Sequence, residues 1–228
     1  MSELHQRLPV YVVDDDESMR DSLVFLLEEH DFTVSAFEDG PSFLDSVDLS
    51  APGCVVLDSR MPEMRGQQVH EFMVKAQSPL SVIYLTGHGD VPMAVEALQA
   101  GAVNFFQKPV KGNELAEAIK QGLDASEKHL QMNVYRQAYA SLTEREIDIL
   151  KQIIDGKRNQ KIADELCIAM RTVEVHRASL MKKFSAKTAT TRETFFIRKR
   201  LKNWRNTVIS WQVFNFNSHC QHLTSKDQ

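Results

Sequence analysis

The sequence predicts an α/β doubly wound fold, a five-stranded parallel sheet with helices on both faces, followed by a small all-α domain. Three observations predict it. Short apolar runs alternate with amphipathic segments through residues 1–124. The runs VYVV, CVVL and VIYL are apolar throughout, as strands buried on both faces of a parallel sheet must be. From Leu142 the alternation stops and apolar residues recur at helical spacing.

Taken in order, strands are expected over 8–14, 33–37, 54–58, 80–86 and 103–107. Helices are expected over 18–30, 41–47, 67–77, 91–100 and from 112 to 124 or beyond. The TVSAF strand alternates more and reads as a sheet edge. Ser18 and Pro41 are expected to open the first two helices. Gly66 gives a backbone free to turn before the third, and Gly101 reads as the C-cap of the fourth. Residues 125–141 are polar, helical in pattern and free of Pro and Gly, so they read as a helical linker.

In the second half, LTEREIDIL places Thr143 as N-cap and Glu146 three residues on, a capping box. Ile147, Leu150 and Ile154 follow at helical spacing, and Gly156 ends that helix. NQKIADEL forms a second helix with Ile162, Ala163 and Leu166 inward. A third, from about Arg171, turns Val173 and Leu180 inward and Glu174, His176, Arg177, Ser179, Lys182 and Lys183 outward. A short helix, a tight turn and a basic helix are the helix-turn-helix pattern, although a small bundle with a charged face looks the same at this level. The expected domains are 1–124, a linker over 125–141, a helix-turn-helix over 142–188, and a basic, aromatic tail over 189–228.

Charge separates the same halves. Residues 1–124 hold 8 Lys and Arg against 21 Asp and Glu, a net of −13, and the remainder carries +9. The basic half is the candidate for nucleic acid. Cys54, Cys167 and Cys220 are too scattered for a disulfide framework or a zinc motif, and Cys54 and Cys167 read as small buried hydrophobes. No apolar stretch reaches membrane-spanning length, and MSELHQR lacks the apolar core of a signal peptide, so a cytoplasmic location with no membrane partner is expected.

The chemistry sits where strands end. Asp14 and Asp15 close the first strand, Asp58 the third, Thr86 the fourth and Lys108 the fifth. In an open α/β sheet, ligands bind beyond the carboxyl ends of the strands, where the strand order reverses. Three converging carboxylates raise one another's pKa, and Mg²⁺ with its preference for oxygen ligands removes the repulsion. Asp58 then suits a nucleophile forming an acyl phosphate, with Lys108 and the Thr86 hydroxyl contacting phosphoryl oxygens. Each residue alone is commonly a cap or turn residue; together and in order they are specific. Asp16 and Glu17 read as a solvated rim or a helix N-terminus.

The segments VVDDDESMRDSL, VVLDSRMPEMRG and YLTGHGDVPMAVEALQAGAVNFFQKPV resemble the flavodoxin-like, CheY-like receiver domain of two-component response regulators, the third especially the FixJ branch. The resemblance implies that Asp58 is the phosphoacceptor. It implies that Asp15 binds the metal directly, Asp14 partly through water, and Arg60 through its backbone carbonyl. Thr86 and Phe105 are implied as the switch pair, the Lys108–Pro109 bond as cis, and Arg60 and His88 as residues that tune dephosphorylation.

LTEREIDIL, Gly156, NQKIA, TVEVH and Lys183 resemble the LuxR-type helix-turn-helix of the FixJ/NarL family. By position, Glu174, Val175 and Ala178 would face bases, with Arg177 close by. Lys161, Arg171, Lys182 and Lys183 would contact phosphates, which hold register without reading sequence. Thr172 and His176 complete the implied DNA-facing set. Two departures stand out. Ala169 replaces the usual Ser at the start of the recognition helix, and the tail lacks the leucine-rich dimer helix.

The implied function is a transcription regulator switched at Asp58 by a sensor histidine kinase. Its implied partners are Mg²⁺, promoter DNA, RNA polymerase and, once phosphorylated, a second copy of the chain. The alternative is a phospho-switch acting through protein contacts without specific DNA binding, because the tail is altered. A nucleotide binder would need a phosphate loop where DDDESM stands. No residue set suggests turnover on an external substrate, so a non-enzyme is expected.

Overall fold

A computed structural model gives the structure of the chain and describes residues 7–87 and 91–184. The chain divides into two compact units, residues 1–133 and 134–228.

The first unit holds β1 (Pro9–Val13), α1 (Glu17–Glu28), β2 (Thr33–Phe37), α2 (Gly40–Ser46), β3 (Cys54–Leu57), α3 (Gly66–Lys75), β4 (Ser81–Thr86), α4 (Val91–Gln99) and β5 (Asn104–Gln107). It also holds the start of α5 (Gly112–Ala140), a helix that runs on through the stretch expected as a linker. The strands are parallel in the order β2-β1-β3-β4-β5, which puts TVSAF at an edge and β1 beside β3.

Strand alternation sends successive side chains to opposite faces. Val10, Val12, Cys54, Val56, Ile83 and Leu85 pack against Leu23 and Leu27 of α1 and Leu115, Ile119 and Leu123 of α5. On the other face, Val13, Val55, Leu57, Val82 and Tyr84 meet Phe43 of α2, Val69 and Met73 of α3, and Ala97 of α4. β3 and β4 are buried at every position, as their unbroken apolar runs require. Among the described residues no helix is long and apolar enough to cross a membrane.

Local chemistry explains the boundaries. The N-cap of α1 is Asp16, not Ser18: the Asp16 carboxylate accepts the Met19 N–H at 3.1 Å, so the helix starts one residue earlier than expected. Asp39 caps α2 in the same way, with Pro41 in its first turn. Gly101 has φ +106° after α4, the left-handed C-cap that glycine adopts without a Cβ penalty.

The second unit holds α6 (Glu144–Ile154), α7 (Asn159–Glu165) and α8 (Met170–Lys183). Their core is Ile149, Leu150, Ile153, Ile154, Ile162, Ala163, Val173, Leu180, Met181 and Phe184. The Thr143–Glu146 capping box forms as expected. Ala169 stands at the N-cap of α8 without a side-chain bond. Cys167 departs from expectation. It is exposed, with φ +51°, in the turn between α7 and α8, where backbone geometry rather than burial defines the position. The expectations for His88 and for the 189–228 tail lie outside the described residues.

Candidate functional site

The parallel register fixes the site. β1 and β3 pair with Val13 opposite Leu57, so the residues that follow, Asp14 and Asp58, emerge side by side at the carboxyl edge. The Asp58 N–H donates to the Val13 carbonyl at 2.9 Å and continues the ladder by one step. Carboxylate oxygens of Asp14, Asp15 and Asp58 lie within 4.8 Å of one another. Asp14 and Asp58 are buried, and Asp15 is exposed at the rim.

Lys108 reaches this cluster from the end of β5, where its N–H donates to the Thr86 carbonyl at 2.8 Å. The Lys108–Pro109 peptide is cis. The ammonium is 2.5 Å from Asp14 Oδ2 and 3.5 Å from Asp58 Oδ2. Lys108 thus pairs with two of the three carboxylates, Asp14 and Asp58. Burial pushes the Asp58 carboxyl above its ordinary pKa; Lys108 opposes this, Asp14 adds to it, and the Arg60 and Ser59 N–H groups oppose it. Asp58 Oδ1 is buried without a hydrogen-bond partner. An acceptor-only cluster with a surplus of negative charge and an unpartnered buried oxygen fits a hard divalent cation such as Mg²⁺.

Two residues not singled out in the sequence hold this edge. Arg20 of α1 donates to the Asp14 carbonyl at 2.7 Å and fastens the loop after β1. The Ser59 hydroxyl donates to Thr86 Oγ1 at 2.7 Å, and both residues are buried. Leu57 pairs with Tyr84, so two more steps along each strand set Ser59 opposite Thr86. Only the sheet order reveals that neighbour. Phe105 is half-buried, and its ring lies 6.2 Å from that of Tyr84.

Gly66 guards the geometry beneath Asp58. Its N–H donates to the Ser59 carbonyl at 3.2 Å, and a Cβ there would overlap the Asp58 carbonyl oxygen. Gly66→Ala therefore pushes the β3–α3 loop off Asp58. A loss of about 2 kcal/mol in urea-induced unfolding of the receiver unit is expected, the usual scale of overpacking. Wild-type stability in that variant would show the loop yields without cost.

In the second unit, Arg171, Thr172, Val175, Ala178 and Lys182 are exposed on α8, and the spacing of 171, 175, 178 and 182 forms one stripe. Lys161 of α7 is exposed as well. Glu174 is half-buried, and its carboxylate pairs with Arg171 at 3.2 Å. His176 and Arg177 are half-buried, and burial lowers the Arg177 pKa. Two residues expected outside turn inward instead. Ser179 donates to Glu146 Oε1 at 2.7 Å, and the Lys183 ammonium bonds Glu146 Oε2 at 2.8 Å and the Ser141 carbonyl at 2.8 Å. With Val173 and Leu180 buried, positions 179 and 183 flank the inward stripe and meet α6.

Comparison with known proteins agrees with this division. Residues 10–120 match the family described as response regulator receiver domain, and residues 140–191 match the bacterial regulatory proteins of the luxR family. The chain is 41% identical over 181 residues to the transcriptional regulatory protein FixJ of Bradyrhizobium diazoefficiens, covering 78% of this chain and 88% of that one. It is 40% identical over 177 residues to the tetrathionate response regulatory protein TtrR of Salmonella typhimurium, covering 78% and 86%. Among solved structures it is similar to the response regulator StyR, with TM-score 0.62 and 37% identity over 84% of this chain and 98% of that one. It is also similar to full-length FixJ from B. japonicum, with TM-score 0.53 and 38% identity over 86% and 98%.

Proposed function

The chain belongs to the two-component response regulators that join a receiver domain to a LuxR-type DNA-binding domain, and on that premise we propose that Asp58 is its phosphoacceptor and α8 its DNA-reading helix. It is a FixJ-like transcription regulator. The observation that carries the assignment of the site is the convergence of Asp14, Asp15 and Asp58 within 4.8 Å, with the Lys108 ammonium 3.5 Å from Asp58.

Asp14, Asp15, Asp58 and the Arg60 carbonyl would hold Mg²⁺, which offsets negative charge on the carboxylates and on an incoming phosphoryl group. The chain's own residues do the rest. An Asp58 oxygen attacks the phosphorus of a phosphohistidine on the partner kinase; the new O–P bond replaces the P–N bond, and the imidazole leaves. Lys108, already shared between Asp14 and Asp58, follows the charge onto a phosphoryl oxygen. The Thr86 hydroxyl, which accepts from Ser59, would contact another phosphoryl oxygen. Phe105 then turns inward behind it.

The phosphorylated state is favoured only by the contacts it adds, so the switch is a population shift. Its outlet is the surface of α4, β5 and α5, where Val91, Val95 and Leu98 are exposed apolar side chains suited to pairing with a second copy. Paired copies would set two α8 helices on half-sites about one DNA turn apart. Arg171, Lys161 and Lys182 would contact phosphates, and Val175 and Ala178 base edges, with Thr172, Glu174, His176 and Arg177 bordering them. Lys183 joins the phosphate set only by leaving Glu146. We place the chain in the cytoplasm, where kinase, promoter DNA and RNA polymerase meet. The relatives, a transcriptional regulatory protein and a response regulatory protein, do not favour the alternative of protein contacts without specific DNA binding.

The test is sedimentation with and without beryllofluoride and Mg²⁺, on wild type and Asp58→Asn. Self-association is expected for wild type alone and only with both additives. Equal behaviour of the two proteins would sink the assignment.

A further inference from the structure

Given Asp58 as phosphoacceptor and Thr86 as a contact of its phosphoryl group, the readings on which this rests, we propose that Ser59 is a positioning residue for the switch. Its hydroxyl holds the Thr86 hydroxyl on the face of the sheet under α3 and α4 and opposes the turn toward Asp58.

Strand alternation separates the groups. Val55, Leu57, Val82 and Tyr84 belong to the apolar cluster under α3 and α4, and Phe105 packs against it. Ser59 and Thr86 lie two residues beyond Leu57 and Tyr84, which pair, so they fall on that same face. Cys54 and Val56 belong to the cluster under α1 and α5, and Asp58, two residues beyond Val56, falls with them. The Thr86 hydroxyl is therefore engaged away from the Asp58 carboxylate, where Ser59 donates to its Oγ1 at 2.7 Å. Ser59 is 1% exposed and Thr86 0%. A hydroxyl this deeply buried is costly to leave unbonded, so the pair stabilises the resting arrangement.

Ser59 is not free to follow Thr86. The Asp58 N–H before it continues the ladder to the Val13 carbonyl at 2.9 Å, and its own carbonyl accepts the Gly66 N–H at 3.2 Å. To reach a phosphoryl oxygen on Asp58, the Thr86 hydroxyl gives up Ser59. Phosphorylation then exchanges one hydrogen bond for another instead of adding one. The Ser59 bond lowers the resting state alone and shifts the population away from the phosphorylated arrangement.

The probe is beryllofluoride in excess Mg²⁺, titrated into the full chain and read by fluorine NMR of the bound fluoride. Ser59→Ala is expected to half-saturate at about fivefold lower beryllofluoride than wild type, the scale of one neutral hydrogen bond. Ser59→Cys keeps the size but offers only a weak donor, and should fall between the two. A double-mutant cycle separates this role from a structural one. In Thr86→Val the bond is already gone, so adding Ser59→Ala should change half-saturation by less than about twofold. Unchanged or weaker binding in Ser59→Ala, or the same gain in the Thr86→Val background, would overturn the proposal. Wild type that binds no beryllofluoride, or Asp58→Asn that binds it equally, would overturn the reading of Asp58 itself, and the role of Ser59 with it.

Discussion

Asp58→Asn takes up no phosphoryl group from acetyl phosphate in Mg²⁺, while wild type does, read as a mobility shift on a phosphate-retarding gel. The amide is close in size to the carboxylate but offers no anionic oxygen to attack phosphorus. A second readout separates lost chemistry from lost fold. Burial, before any other cause, raises the Asp58 pKa, so the folded state prefers the protonated acid. A group with a raised folded pKa stabilises the fold below its unfolded pKa and loses that contribution as pH rises through the folded value. Without metal, wild type is therefore expected to lose stability as pH climbs from the ordinary carboxylate range toward neutrality, and Asp58→Asn to lose less. At pH 7 the variant should melt at or above the wild-type temperature without metal. Mg²⁺ should raise the wild-type melting point by mass action and move the variant less. Residual phosphorylation at undiminished stability would show that another carboxylate is the acceptor.

The cluster at the strand ends was legible because a carboxylate, hydroxyl or ammonium stands at or one step past the end of β1, β3, β4 and β5, and the residue type at a strand end survives small errors in the boundary. Thr86 is the last residue of β4, while Asp14 and Asp58 lie one step past β1 and β3. What escaped were contacts between remote segments that no periodicity encodes. Ser59 meets Thr86 only through the pairing of β3 with β4. Arg20 reaches the Asp14 carbonyl from α1, a contact that no spacing in the sequence marks. The α1 start was misplaced because Asp16 and Ser18 are both good caps, and only backbone direction chooses between them. On α8 the outward set was drawn one flank too wide. Ser179 and Lys183 border the buried stripe, and a buried carboxylate on α6 draws them in.

That carboxylate, Glu146, is the residue whose loss should most damage the DNA-binding unit. Its side chain is 5% exposed, and it gathers four donors. Lys183 bonds Oε2 at 2.8 Å, the Thr143 N–H at 2.8 Å and the Thr143 hydroxyl at 3.0 Å, while Ser179 bonds Oε1 at 2.7 Å. Lys183 first, then the Thr143 N–H and Ser179, hold its pKa down to about 2 against a weaker effect of burial. A depressed carboxyl pKa stabilises the fold above the unfolded value, here the ordinary 4.5, and that stability is lost as pH falls toward 2. Glu146→Ala removes the capping-box partner and leaves the half-buried Lys183 ammonium bonded to the Ser141 carbonyl. Losing this half-buried pair and weakening a cap together imply a loss of about 2 kcal/mol. Glu146→Gln keeps an acceptor for Thr143 and Ser179 but not the charge, so about half that loss is expected. Hydrogen exchange followed by mass spectrometry on the full chain reads this directly: peptides from α6 and α8 should exchange far faster in Glu146→Ala, while those from β1, β3 and β4 keep wild-type protection. Wild-type protection in α8 of Glu146→Ala would mean that the apolar contacts of Val173, Leu180 and Phe184 hold the unit by themselves and that α6 does not need this carboxylate to position α8.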